Sequence, residues 1–175
     1  AAMITTYRLA ENDTVMAYDL AWERSWGEYE PSYGNVVGRK GYDNEWQAWM
    51  ERQYGSISQA EADWGVPVPR TSSGQVTGPS NQQLDQDGPW RAMVAAYRRF
   101  VDDFVGKKHL EAAEFVRSLD SSHLVSFRMG GDGGNPTAPG RVFGYDFKGL
   151  APSMDIMQPE GYGRIGDWEK VKPGM

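Results

Sequence analysis

The sequence predicts an α/β fold with a parallel sheet, laid out as consecutive strands and helices of a partial (β/α)8 barrel that is incomplete on its own. Three observations carry this expectation. Residues 15–22, 123–129 and 154–158 are short, nearly unbroken apolar runs, the pattern of strands in a sheet covered by helices. Segments with helical periodicity separate the first two runs, which implies parallel strands joined by crossovers. Each run ends in polar or aromatic residues: Glu23 after the first, Arg128 in the second, and Gln158 with Glu160 at the third. At 175 residues the chain falls short of the about 250 that a full barrel takes. It is read as a single domain over residues 1–175.

Taken in order, residues 1–12 are ambiguous and suit the tail of a helix leading into the first strand. That strand is interrupted only by Asp19. A long loop over residues 27–43 is polar, aromatic and without period, the kind of segment where binding residues concentrate. Asp43 or Asn44 then caps a helix carrying Trp46, Trp49, Met50 and Tyr54, which Gly55 ends. A second short helix is placed from Ser58, with Glu61 at capping-box spacing, to Trp64. Residues 66–88, rich in Pro, Ser, Thr and Gln, read as an irregular excursion. Pro89 suits the first position of a long helix. Its stripe of Trp90, Met93, Val94, Tyr97, Phe100, Val101, Phe104 and Val105 is core by periodicity and runs past Gly106 to Leu119. A turn at 120–122 leads into the second strand. A Gly-rich loop fills 130–140, the third strand follows, and 166–171 starts another helix.

Composition narrows the partners. A formal charge of −6 and a pI near 4.9 oppose a nucleic-acid role, which wants a basic face. There is no cysteine, so neither a disulfide framework nor a thiolate metal site can form. No apolar run approaches the roughly 20 residues that span a bilayer, and no signal peptide is recognisable. Localisation is unassigned; an extracellular or periplasmic place suits a longer parent. The Gly-rich loop lacks both phosphate-loop spacings, so no nucleotide cofactor is expected. Asp132 and Asn135 match no calcium loop, and no metal is assigned. Seven Trp, nine Tyr and six Phe favour a stacking surface over a purely aliphatic core.

The strand exits carry the chemistry. Glycosidic cleavage usually takes two carboxyl groups, one of them a protonated donor whose pKa is raised by burial against apolar rings. Glu23, between Trp22 and Trp26, fits the donor; the competing reading is a rim salt bridge to Arg24 or Arg128. Glu160, beside Tyr162, is the second candidate, as nucleophile, as modulator of its partner's pKa, as substrate ligand, or as plain loop charge. Arg128 is placed to hold a carboxylate or a sugar hydroxyl. Strict alternation would put Asp19, Ala21 and Glu23 on one face, with Asp19 as a deep structural support. His109 and His123 lack a triad context and read as structural.

These residues resemble a family. Tyr18-Asp-Leu-Ala-Trp-Glu23 followed by Gly27 is similar to the fourth strand of retaining (β/α)8 glycosidases such as families 5 and 42, whose acid/base glutamate ends that strand. Residues 46–65, WQAWMERQYGSISQAEADWG, resemble the stretch after that strand in family 42 β-galactosidases. His123-Leu-Val-Ser-Phe-Arg128 resembles strand five, and Ser153-Met-Asp-Ile-Met-Gln-Pro-Glu-Gly-Tyr162 resembles strand six. The resemblance implies that Glu23 is the acid/base and that the exit of strand six, at Gln158 and Tyr162, carries a substrate ligand. The ring faces of Trp22 and Trp26 and the guanidinium of Arg128 are expected, from their own chemistry, to contact an oligo- or polysaccharide. Two departures stand out: Trp22 replaces the family's asparagine, and the strand-seven nucleophile is absent. The expectation is a hydrolase fragment, inactive alone and inclined to associate with itself or with missing barrel portions. The alternative is a non-catalytic carbohydrate-binding domain that stacks sugars on Trp22, Trp26, Tyr29 and Tyr162.

Overall fold

The computed structural model describes residues 1–22, 29–30, 38–129 and 147–159. They fall into two compact units, one built from 1–22, 105–129 and 147–159, the other from 29–30 and 38–104.

In the first unit, β1 (Ala17–Trp22), β2 (Leu124–Met129) and β3 (Ile156–Pro159) form a sheet in the order β1-β2-β3. Both pairings are parallel, as the apolar runs predict. Val125 and Phe127 are buried on one face of β2, packed with Ala113 and Val116 of the long helix α5 (Arg91–Leu119) and with Ile4 of α1 (Ala2–Thr6). Tyr18 and Leu20 of β1 join the same cluster. Alternation along the strands sends Asp19 and Ser126 to the opposite face. There the edge position of β1 matters: Asp19 is exposed, whereas its register partner Ser126 on the central strand is fully buried. Among the described residues Asp19 is therefore exposed, rather than deep as strict alternation would have it. The register also shifts between Asp19 and Trp22, so that the Cα of Trp22 lies opposite Arg128. A bulge of this kind breaks the two-residue count along a strand.

Helix α5 continues through Gly106, as its stripe predicts, but begins at Arg91, two residues after Pro89. The glycine has a packing reason: a Cβ at 106 would sit 3.2 Å from the carbonyl oxygen of Gly149, beside the short helix α6 (Phe147–Leu150).

Two carboxylates tie the N-terminal ends of the strands. Asp120 is buried and accepts from the Tyr18 hydroxyl (2.6 Å), the Ser122 hydroxyl and N–H, and the His123 N–H, with His123 Nδ1 at 2.7 Å. Burial alone would raise its pKa; these bonds prevail and hold it well below the usual carboxylate range. The same burial and the bond to Asp120 push Tyr18 up to about 12. Asp155 accepts from the Val125 N–H (2.8 Å), which lowers its pKa against burial, and pairs with Arg117 of α5 (3.1 Å).

The second unit is helical: α2 (Asp43–Tyr54), α3 (Ile57–Trp64), α4 (Asn81–Asp85) and the start of α5. Gly55 and Gly65 follow α2 and α3 with positive φ, where a side chain would be strained. The cap of α3 is Ser56, whose hydroxyl accepts from Gln59 N–H, not Ser58. Glu61 is used otherwise: it pairs with Arg70 at 2.7 Å and accepts from the Val68 N–H. The stretch read as irregular contains α4, entered through a reciprocal Ser80–Gln83 capping box.

Aromatic rings form this unit's interior. Trp46 is fully buried, stacked on Trp49 and nearly parallel to Trp64 (6° between planes), with Tyr97 edge-on and Phe100 tilted against it. Such pairs contribute about 0.5–1.5 kcal/mol each beyond the area they bury. Among the described residues, the abundance of aromatics thus serves a core more than a stacking surface. The Trp49 indole donates to Asp103 (2.8 Å) and that of Trp64 to the Tyr54 hydroxyl (3.2 Å), whereas the Trp46 indole N–H and the Ser126 hydroxyl have no partner among the described residues.

Phe127→Ala should destabilise the fold by about 3–5 kcal/mol in urea unfolding, while Met16→Ala, at an exposed position, should change it by less than about 0.5 kcal/mol. Because the folded pKa of Asp120 is depressed, its stabilisation is complete above the unfolded value near 3.9 and is lost as pH falls below it. Asp120→Asn should lower stability by about 1–3 kcal/mol at neutral pH and flatten the acid limb of a stability–pH curve. A limb unchanged in the variant would exclude Asp120 as its source.

Candidate functional site

The register of the sheet aligns three of the residues singled out in the sequence. The Cα of Arg128 pairs with that of Trp22 on one side and that of Gln158 on the other. All three therefore lie in one row across the C-terminal ends of parallel strands, the end where barrel enzymes hold their sites. Gln158 is half-buried there. Glu23 directly follows Trp22 in sequence, and Glu160 follows Pro159, the register partner of Met129. Glu23, Trp26, Glu160 and Tyr162 themselves lie outside the described residues, as do the Gly-rich loop at 130–140 and the helix start at 166–171.

The histidines stand elsewhere. His123 precedes β2 at the N-terminal end of the sheet, bound to Asp120. His109, in α5, packs its ring 4.1 Å from that of Phe127. Among the described residues no group of three or more His, Asp and Glu side chains is placed to hold a metal ion. No helix among them is long and apolar enough to cross a membrane.

The second unit contains a cavity of about 380 Å³. Asp43, the first residue of α2, lines it. The Asp43 side chain does not cap that helix; it accepts from the Tyr29 hydroxyl (2.6 Å) and from the Gly78 N–H (2.8 Å). Burial lifts the Asp43 pKa above its ordinary value, against these bonds and the nearby Arg39 and Lys40. Burial, with the bond to Asp43, also raises that of Tyr29. Arg39 is fully buried behind them, donating to the Pro79 carbonyl (3.0 Å) and to Asn81, with its guanidinium over the rings of Tyr29 (5.4 Å) and Tyr97 (5.8 Å). The rim carries Lys40 and Glu30, paired at 3.0 Å. Sequence reading missed this arrangement, because Arg39 and Asp43 fall where a loop and a helix cap explain them locally, while Gly78, Pro79 and Asn81 lie 35 to 42 residues away.

No protein-family model matches the chain, and no curated protein matches it. Its fold is similar to parts of two solved glycoside hydrolases. One is the polyextremophilic β-galactosidase from the Antarctic haloarchaeon Halorubrum lacusprofundi, with a TM-score of 0.54 and 19% identity over 92% of this chain. The other is the apo exo-carrageenase GH42 from Bacteroides ovatus, with a TM-score of 0.55 and 17% identity over 87% of this chain. The chain spans only 22% and 21% of those proteins. The likeness establishes the fold: parallel strands and helices arranged as in part of a glycoside hydrolase.

Asp43→Ala should destabilise the protein by about 2–4 kcal/mol in chemical denaturation, because it strands the Tyr29 hydroxyl and the Gly78 amide and removes a negative charge near the buried Arg39. Asp43→Asn, which keeps an acceptor, should lose less.

Proposed function

We propose that this chain is the middle of a retaining glycoside hydrolase barrel, corresponding to strands four to six, within one domain over residues 1–175 that carries long loops at 27–43 and 66–88. The observation that carries the reading is the row of Trp22, Arg128 and Gln158 across the exits of three parallel strands, in a fold similar to glycoside hydrolases. Glu23, next to that row in sequence, is the acid/base. As acid it gives its proton to the glycosidic oxygen as a nucleophilic carboxylate bonds the anomeric carbon and the bond from that oxygen breaks. As base it later takes a proton from the water that attacks the same carbon and displaces that carboxylate.

Trp22, Trp26 and Tyr162 offer ring faces to a sugar, and Arg128 and Gln158 offer hydrogen bonds to its hydroxyls. Glu160 is the second carboxylate of the site, as ligand or as modulator of its partner; as nucleophile it would need to lie about 5–5.5 Å from Glu23. In the resembling families the nucleophile comes from strand seven, so the segment by itself binds but does not hydrolyse. The outer edges of β1 and β3 are the surfaces on which further barrel strands, or a second copy, would add.

In the full-length protein, Glu23→Gln should lower kcat on natural glycosides by about 10²–10⁴-fold and should spare aryl glycosides whose leaving groups need little protonation. Unchanged turnover of both substrate types removes the assignment. The second reading, sugar binding without catalysis, is favoured by the place of Tyr29 on a cavity wall. It is supported if the full-length protein binds oligosaccharides without turnover and Trp26→Ala abolishes that binding.

A further inference from the structure

We infer that the cavity of the second unit is a binding site for one neutral pyranoside ring, an inference that rests on the carbohydrate reading above and deepens it. The volume of about 380 Å³ lies at the low end of small-ligand pockets, which suits a single ring rather than an extended chain.

The charges are matched within the walls. Asp43 faces the buried Arg39, and Glu30 is paired with Lys40 at 3.0 and 3.2 Å. Apart from Tyr29, no other ionisable side chain among the described residues lines the cavity. A phosphate, a uronate or an ammonium ligand would find no unmatched partner there, and would lose hydration without compensation. What the walls do present is hydroxyl and amide chemistry, from Thr71, Gln75, Thr77 and Ser80, beside the ring of Tyr29. Dense neutral donors and acceptors around one aromatic wall match the alternating hydroxyl and C–H surface of a sugar.

The walls are also held in place before any ligand arrives. Asp43 clamps Tyr29 to Gly78. The turn opposite is closed by the Thr71 N–H to the Gln75 carbonyl (2.8 Å), by the Gln75 N–H to the Thr71 hydroxyl (3.1 Å), and by the Thr77 N–H to the Pro69 carbonyl (2.8 Å). Gly78 is tight by necessity, since a Cβ there would lie 2.9 Å from the Tyr97 ring. A pre-formed site of this kind loses little freedom on binding.

The test is a titration of the ¹⁵N-labelled chain with methyl β-D-galactopyranoside, followed by amide shifts, with galacturonate and galactosamine as charged counterparts. Saturable, millimolar shifts at Gln75, Thr77 and Gly78 are expected, with weaker binding of both charged sugars. Gln75→Ala, at an exposed position that leaves the fold intact, should weaken the neutral sugar about five- to tenfold, the worth of one or two hydrogen bonds. Glu23→Gln should leave it unchanged. Absence of saturable shifts at these amides, or preference for a charged sugar, overturns the proposal. Binding lost with Glu23→Gln but kept with Gln75→Ala would overturn it while leaving the glycosidase reading in place.

Discussion

One buried carboxylate anchors the first unit. Asp120 lies where α5 hands over to β2, and it gathers bonds from Tyr18 of β1 and from the two residues that lead into β2. A carboxylate so enclosed is tolerable only if its oxygens are nearly saturated with donors. The consequence is directional. Parallel strands whose N-terminal ends are pinned to one group start level with each other, and short strands that start level also finish level. Asp155 repeats the device between β2 and the start of β3, with Arg117 tying it to the helix. The row of Trp22, Arg128 and Gln158 is the far end of that alignment.

Between the two ends, the sheet is held by the burial of alternate residues against α5. Val125 and Phe127 are the centre of that contact, and Gly106 lets the backbone of Gly149 come against the helix. Stability and the proposed function thus divide along the strands. The outer face and the N-terminal ends are packing and hydrogen bonds. The C-terminal ends carry polar and aromatic residues that no packing argument requires.

Much of this was legible in advance, because apolar runs and helical stripes report burial directly. All three strands and the course of α5 through Gly106 follow from pattern alone. The parallel pairing follows from the helical spacing between the first two strands. What pattern could not supply depends on partners distant in sequence. The shift between Asp19 and Trp22 arises from pairing with β2 and has no local signature. Ser56 and Ser58 both have an acceptor hydroxyl near a helix start, and only the fold chooses between them. Arg39 looks like a surface charge until Pro79, Asn81 and two aromatic rings close around it. The candidate site was half visible: the row at the strand exits could be named from sequence, whereas the Asp43 cavity could not, since its walls come from three separated segments.

The crowding of indoles around Trp46 has an optical consequence. Trp46, Trp49, Trp64 and Trp90 all belong to the second unit, and the rings of Trp46 and Trp64 lie almost parallel at 5.9 Å between centroids. Chromophores that close exchange excitation, and an indole that neither meets water nor donates a hydrogen bond emits toward the blue. Fluorescence and near-ultraviolet dichroism therefore carry a strong signal from the interior of the helical unit.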